Sequence, residues 1–178
     1  LISAGDLPQT VEALPLTRQL DGLGLVQRLA NPSLWDAIIT AVLRQVVRAG
    51  QARKIHKSFY RAYGRVVDTV VGPLSLAPTP QTVLDLADND YAVVGAAFHR
   101  EALRAAADAY LERSAFWRGL EAEKLVEELT CVRRIGPWTA AAAASDFTGD
   151  HSVYPHSDQA VRTWARRAAP DLVFPDSP

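Results

Sequence analysis

Apolar positions recur along most of this chain at spacings of three and four, the period of a helix, with no sustained alternation of period two. From Ser33, a residue type suited to a helix N-cap, the segment LWDAIITAVLRQVV sets Leu34, Ile38, Val42 and Gln45 on one stripe. Trp35, Ile39, Leu43 and Val46 lie beside it. So wide an apolar face predicts a buried helix ending near Ala49-Gly50. Over 51–70, Arg53, Lys57, Arg61 and Arg65 fall in one line while Ile55, Phe59 and Tyr63 face elsewhere, which reads first as a solvated helix face. Gly72-Pro73 and Pro78-Thr79-Pro80 punctuate a loop, and Thr79 or Pro80 opens a helix through Val83, Leu84 and Leu86. Further helices are expected over about 98–113, 120–133, 137–147 and 158–168, with an irregular entry or short helix over 8–30. The class is all-α, and the whole of 1–178 is expected to form one domain of two helical lobes.

Composition narrows this little. At 178 residues and 48% hydrophobic, the chain suits a folded domain rather than a disordered one. No apolar run reaches the roughly 18 to 20 residues of a membrane span. Leu1 comes first and methionine is absent, so the chain reads as processed or trimmed, and its end at PDLVFPDSP as broken off. The single cysteine, Cys131, supplies neither an intramolecular disulfide nor the four thiolates of a structural zinc site or an iron–sulfur cluster. That points to a reducing compartment, the cytoplasm. A net charge of −1 requires any nucleic-acid-binding residues to be gathered on one face.

The stretch Ile135-Gly136-Pro137 breaks one helical pattern immediately before another begins. Gly136 can take backbone angles closed to other residues and strips a side chain from the turn. Pro137 suits the first position of the next helix. The corner would then present helix N-terminal amides beside a bare backbone, a small anion site with Trp138 and Thr139 at its mouth. It would equally serve as a plain joint between packed helices, and six residues alone do not choose. Asp158 is likewise open: a first-turn carboxylate complementing a helix dipole is worth about 0.3–1 kcal/mol, whereas a carboxylate beside a sugar can stabilise developing positive charge or activate water.

The longer pattern L-x-x-V-R-x-I-G-P-W-T-A, followed by a loop ending Y-P-x-x-D and an apolar-periodic helix, resembles the helix-hairpin-helix (HhH-GPD) DNA glycosylase superfamily. It looks most like the alkylpurine branch, that of the bacterial 3-methyladenine DNA glycosylase II. LWDAIITAVLRQVV and APTPQTVLDLADNDYAVVGAAFHREALRAAADAYLE are similar to upstream segments of that family, so the likeness runs from about Val26 to Pro170. It implies a two-lobed all-α glycosylase fold with the hairpin at about 121–147. It also implies a double-stranded DNA partner carrying damaged bases, a monomeric state and a cytoplasmic, nucleoid-associated location. A phosphate of the DNA backbone would be held by Ile135, Gly136 and the amides near Trp138 and Thr139, with a monovalent cation on the hairpin carbonyls as an option. No other cofactor and no catalytic metal is implied.

Asp158 matches the family's catalytic aspartate. Trp138 stands where bifunctional members carry a lysine, and an indole forms no Schiff base, so a monofunctional enzyme without lyase activity is expected. The same indole could face a flipped cationic alkylpurine, with attraction of about 0.5–2 kcal/mol. Trp35, Tyr154 and His156 are further base-pocket candidates, with Phe147 and Ser157 as weaker ones, and Gln45 is a DNA contact beside the vacated base. Two departures stand out. Arg134 replaces the usual first hairpin glycine, so it either costs on the order of 1 kcal/mol at a positive φ or, with Arg133, adds phosphate contacts. Arg44 stands where many members have glutamine. The alternative function is a helix-hairpin-helix module that grips damaged or distorted DNA without catalysis.

Overall fold

Ser33 does start a helix. Its Oγ accepts the N–H of Asp36, and α2 runs Leu34–Leu43 with eight of its ten residues buried. The computed structural model describes residues 5, 10, 11, 13–26 and 29–173. The chain divides into two compact units, one formed by 30–154 and the other by 1–29 with 155–178.

In the larger unit, α2 ends at Leu43, and Gln45 and Val46 do not continue the helical stripe. Val46 is the reason, since its φ of 56° closes the helix and turns the chain. Ala49-Gly50, expected to end a helix, instead opens α3, Ala49–Tyr63. Ala52, Ile55, Phe59 and Tyr60 form its buried face, while Arg53, Lys57 and Arg61 are exposed as expected. Arg65 falls beyond the helix and off the basic line.

The next segment corrects the helical reading of 64–70. Val66–Thr69 (β1) pairs antiparallel with Gly72–Ser75 (β2). The run V-V-D-T-V-V is β-branched at every position but one, and Gly72 supplies the φ of 109° that the tight turn needs. A Cβ on Gly64 would collide with the Leu76 carbonyl, so glycine there lets the two ends of the hairpin meet.

Thr79 caps α4, Pro80–Asp85, through Thr82 N–H, and a further short helix, α5, covers Asp88–Val93. A 3-10 turn at Ala97–His99 leads into α6, Arg100–Trp117, which ends about a turn beyond the end that the periodicity predicts. α7 spans Ala122–Thr130 and α8 Pro137–Thr148. α8 packs against both α2 and α7. Its residues Thr139 to Ser145 are all buried, five of them alanines, so its backbone lies close to its neighbours. The core joins Leu34, Ile38, Ile39 and Val42 to Phe59, Tyr91, Leu103, Trp117, Leu125 and Leu129.

In the smaller unit α1, Leu14–Asp21, contacts α9, Gln159–Ala168. Among the described residues no helix is long and apolar enough to cross a membrane.

Candidate nucleic-acid interface and active site

The corner between α7 and α8 is a helix-hairpin-helix turn over 131–136, and the backbone there reverses one expectation. Arg134 carries the left-handed conformation, at φ 69°. Gly136 is extended, at φ −86° and ψ 174°, an arrangement open to any residue. Among the described residues, a Cβ built on Gly136 would meet no atom within 4 Å beyond its own chain neighbours. Glycine at 136 is therefore required neither by its own torsions nor by internal packing. It leaves the backbone bare at the N-terminus of a twelve-residue helix whose N-cap provides no side-chain acceptor. Arg134 stores strain of about 1–2 kcal/mol.

What holds Arg134 in place is visible. Gln45 Nε2 donates to the Arg134 carbonyl at 3.0 Å and to Thr139 Oγ1 at 2.9 Å, tying the end of α2 to both sides of the hairpin. Ile135 is anchored the other way, its side chain buried in the core and its N–H on the Val132 carbonyl. The guanidinium of Arg134 reaches Glu101, with NH2 3.0 Å from Oε2, and Arg133 lies 3.5 Å from the same oxygen. Both arginines thus share one carboxylate at the start of α6.

A cleft of about 560 Å³ lies against this corner, lined by Gln45, Val46, Phe98, Glu101, Arg134, Trp138 and Thr139 among others. Two residues here were not legible in the sequence as site residues. Val46 is a β-branched residue at positive φ with 88% of its surface exposed. Such a conformation persists only where the surroundings impose it. His99 is part of those surroundings: fully buried, its Nε2 lies 3.2 Å from the Gln45 carbonyl and donates to it. Burial pushes the His99 pKa below the usual value for histidine, and the bond to Gln45 opposes this less strongly. The ring is therefore neutral at pH 7. A histidine after an exposed phenylalanine carries no pattern that marks it as a brace.

Behind the hairpin, Trp138 meets Arg44. The guanidinium carbon sits 5.3 Å from the centroid of the indole, NH2 donates to the Tyr154 hydroxyl at 3.1 Å, and NH1 lies 3.8 Å from Asp146 Oδ2. Trp138 and Tyr154 are thus brought to one place, by a residue singled out only as a departure from the expected pattern. Trp35 belongs elsewhere. It is buried, donates its indole N–H to the Pro78 carbonyl at 2.7 Å and packs against Tyr110, lining a different cavity with Asp36, His56 and Tyr60. It is a core residue whose polar atom is satisfied within the fold. Phe147 is half-buried against the core.

Asp158 lies in the smaller unit as the N-cap of α9. Its Oδ1 accepts the N–H groups of Ala160 at 2.7 Å and Val161 at 3.2 Å. The capping role weighed for it is therefore real, and it fixes the carboxylate's orientation. His156 and Ser157 precede it and are exposed. Among the described residues no three of His, Cys, Asp and Glu converge as a metal site would require.

Solved structures share this architecture. The chain superimposes on a Clostridium acetobutylicum 8-oxoguanine glycosylase/lyase in complex with double-stranded DNA, with TM-score 0.73, 16% identity, and coverage of 90% of this chain and 57% of that one. It matches a 3-methyladenine DNA glycosylase from Archaeoglobus fulgidus with TM-score 0.73 and 22% identity, covering 93% and 56%. A Schizosaccharomyces pombe 3-methyladenine DNA glycosylase bound to abasic DNA gives TM-score 0.70 and 21% identity, covering 93% and 84%. The chain has the all-α fold of the helix-hairpin-helix DNA glycosylases, and it spans a little over half the length of the clostridial and archaeal proteins. No family model matches the sequence, and no curated protein does.

Proposed function

We propose that the protein is a monofunctional DNA N-glycosylase. It grips a duplex at the hairpin, turns a damaged purine out of the stack and hydrolyses its N-glycosidic bond, leaving the strand intact. The observation that carries this reading is Gly136, a glycine with no internal reason to be one, at a helix N-terminus inside the fold these glycosylases share. A bare backbone facing outward is what close approach of another molecule's backbone requires, and a phosphate there meets the positive end of α8. Such contacts set register and carry no sequence information.

The remaining parts follow from the chemistry. Val46, apolar and exposed beside Gln45, is suited to fill the space a departing base leaves, and unstacking costs a few kcal/mol that damaged bases lower. Asp158 offers a carboxylate of fixed orientation to the sugar as positive charge builds on it, or takes the proton of the attacking water. A Schiff-base route needs an amine, and the chain's three lysines, Lys54, Lys57 and Lys124, lie on α3 and α7 and none within the turn itself. A monovalent cation is part of the proposal: the Val132, Arg134 and Gly136 carbonyls each accept one N–H and keep a second lone pair. Those residues would hold it, and its charge would add to the grip on phosphate. Alkylated purines are the substrates that the sequence resemblance favours.

One observation favours the non-catalytic module, namely that the two capping bonds account for Asp158 without any chemistry. The experiment that decides is excision from duplexes carrying single damaged purines, read as strand breaks before and after hot alkali. The proposal expects breaks only after alkali. Breaks without alkali contradict the monofunctional assignment. Binding with no excision of any lesion supports the module.

A further inference from the structure

We infer that Arg44 is a specificity-determining residue that selects neutral, acceptor-bearing bases over cationic N-alkylpurines. This rests on the glycosylase reading and departs from the cationic alkylated purines that the sequence resemblance favours.

An indole attracts a cation through the negative potential over its ring, and the Trp138 ring already has one at 5.3 Å. That cation belongs to the protein and is held from three sides. Arg44 is the C-cap of α2, with its N–H on the Ala41 and Val42 carbonyls, so its backbone is fixed. Its side chain donates to Tyr154 and faces Asp146, whose carboxylate is mostly buried, with 15% of its side chain exposed. Arg44 and Asp146 thus face each other with opposite charges. A cationic base brought to the same indole would add a second positive charge that this pair does not compensate, and would compete with Arg44 for the ring.

A neutral base meets the opposite situation. Guanidinium carries five N–H donors and no acceptor. One of them is used on Tyr154, and the separation from Asp146, 3.8 Å, is an ion-pair distance rather than a hydrogen bond. Arg44 therefore has donors left for a carbonyl or ring-nitrogen acceptor on a purine edge. The indole contributes a stacking surface either way. The site thus offers donors and a positive charge where a cationic substrate would need electron-rich surface alone.

The test compares hypoxanthine, neutral and carbonyl-bearing, with 3-methyladenine, cationic in the nucleotide and lacking a carbonyl. Each lesion is placed once in the same duplex. Single-turnover excision is divided by that lesion's own spontaneous release, which removes the intrinsic difference between leaving groups. Wild type is expected to enhance hypoxanthine release at least about tenfold more than 3-methyladenine release. Arg44→Gln keeps donors and removes charge, so it should raise the 3-methyladenine enhancement while retaining part of the hypoxanthine activity. Arg44→Ala should raise the first and abolish most of the second, and Arg44→Lys should preserve discrimination against the cation. Equal losses on both lesions, or an unchanged ratio in the Gln and Ala variants, would overturn the inference while leaving the glycosylase intact. Excision of neither lesion, nor of any other damaged purine, by wild type would sink the underlying reading instead.

Discussion

Gly136 stands where any L-residue fits, and Arg134 stands where glycine would be the least strained choice. That exchange separates folding from binding at two positions with only Ile135 between them. Gly136→Ala places a methyl group in open space at permitted torsions and restricts the unfolded chain, so stability should hold or rise by about 0.4–1 kcal/mol. The same methyl stands between the hairpin and a phosphate, so duplex affinity should fall roughly tenfold, about 1.4 kcal/mol. Denaturant unfolding and a fluorescence-anisotropy titration on one preparation check both. A parallel loss of stability would mean that the glycine serves the fold. Glu101 offers a second separable effect. Arg133 and Arg134 lean on its carboxylate from exposed positions, pairs worth little to stability. Glu101→Gln should leave the melting temperature nearly unchanged. It should tighten duplex binding and steepen the dependence of log affinity on log salt by about one phosphate contact, roughly 0.9 in slope.

Between elements, the brace from the 3-10 turn at Ala97–His99 to the end of α2 is sensitive to pH. The unfolded chain takes up a proton on His99 near its ordinary value of 6.5, while the buried ring resists it. The unfolded state thus binds more protons as pH falls. The stability associated with a neutral His99 is complete above that value and declines as pH drops below it. His56, also pushed downward by burial although Asp36 opposes this, acts in the same direction. Thermal melts from pH 8 to pH 5 should show this fall, and His99→Gln should flatten part of it; an unchanged pH profile would contradict the assignment. Elements whose signal is local were legible in the sequence: the Ser33 and Thr79 caps, the apolar face of α2 and the corner at 136–137. The β-hairpin is masked in the sequence because five residues of V-V-D-T-V-V, 66–70, continue the period of the preceding helix. Val46 and His99 were missed because their roles arise from a turn whose torsions and tertiary contacts no residue spacing encodes. Asp158 was found through the pattern of the hairpin, and its capping bonds were legible from residue type alone.

At the scale of the whole molecule, a chain of net charge −1 lacks a general attraction for nucleic acid, so its affinity has to come from a small number of placed contacts. The contacts proposed at the hairpin lie in one unit, and Asp158, proposed for the chemistry, lies in the other. The central claim is that this carboxylate acts on the sugar and does more than begin a helix. Asp158→Asn tests it most directly, because asparagine caps a helix about as well as aspartate but carries no charge. The measurement is single-turnover excision of a damaged purine, with melting temperature and duplex affinity recorded for the same samples. The account predicts that excision falls by about a hundredfold or more, while both controls stay at wild-type values. Excision by Asp158→Asn at the wild-type rate would contradict it and leave Asp158 as a helix cap.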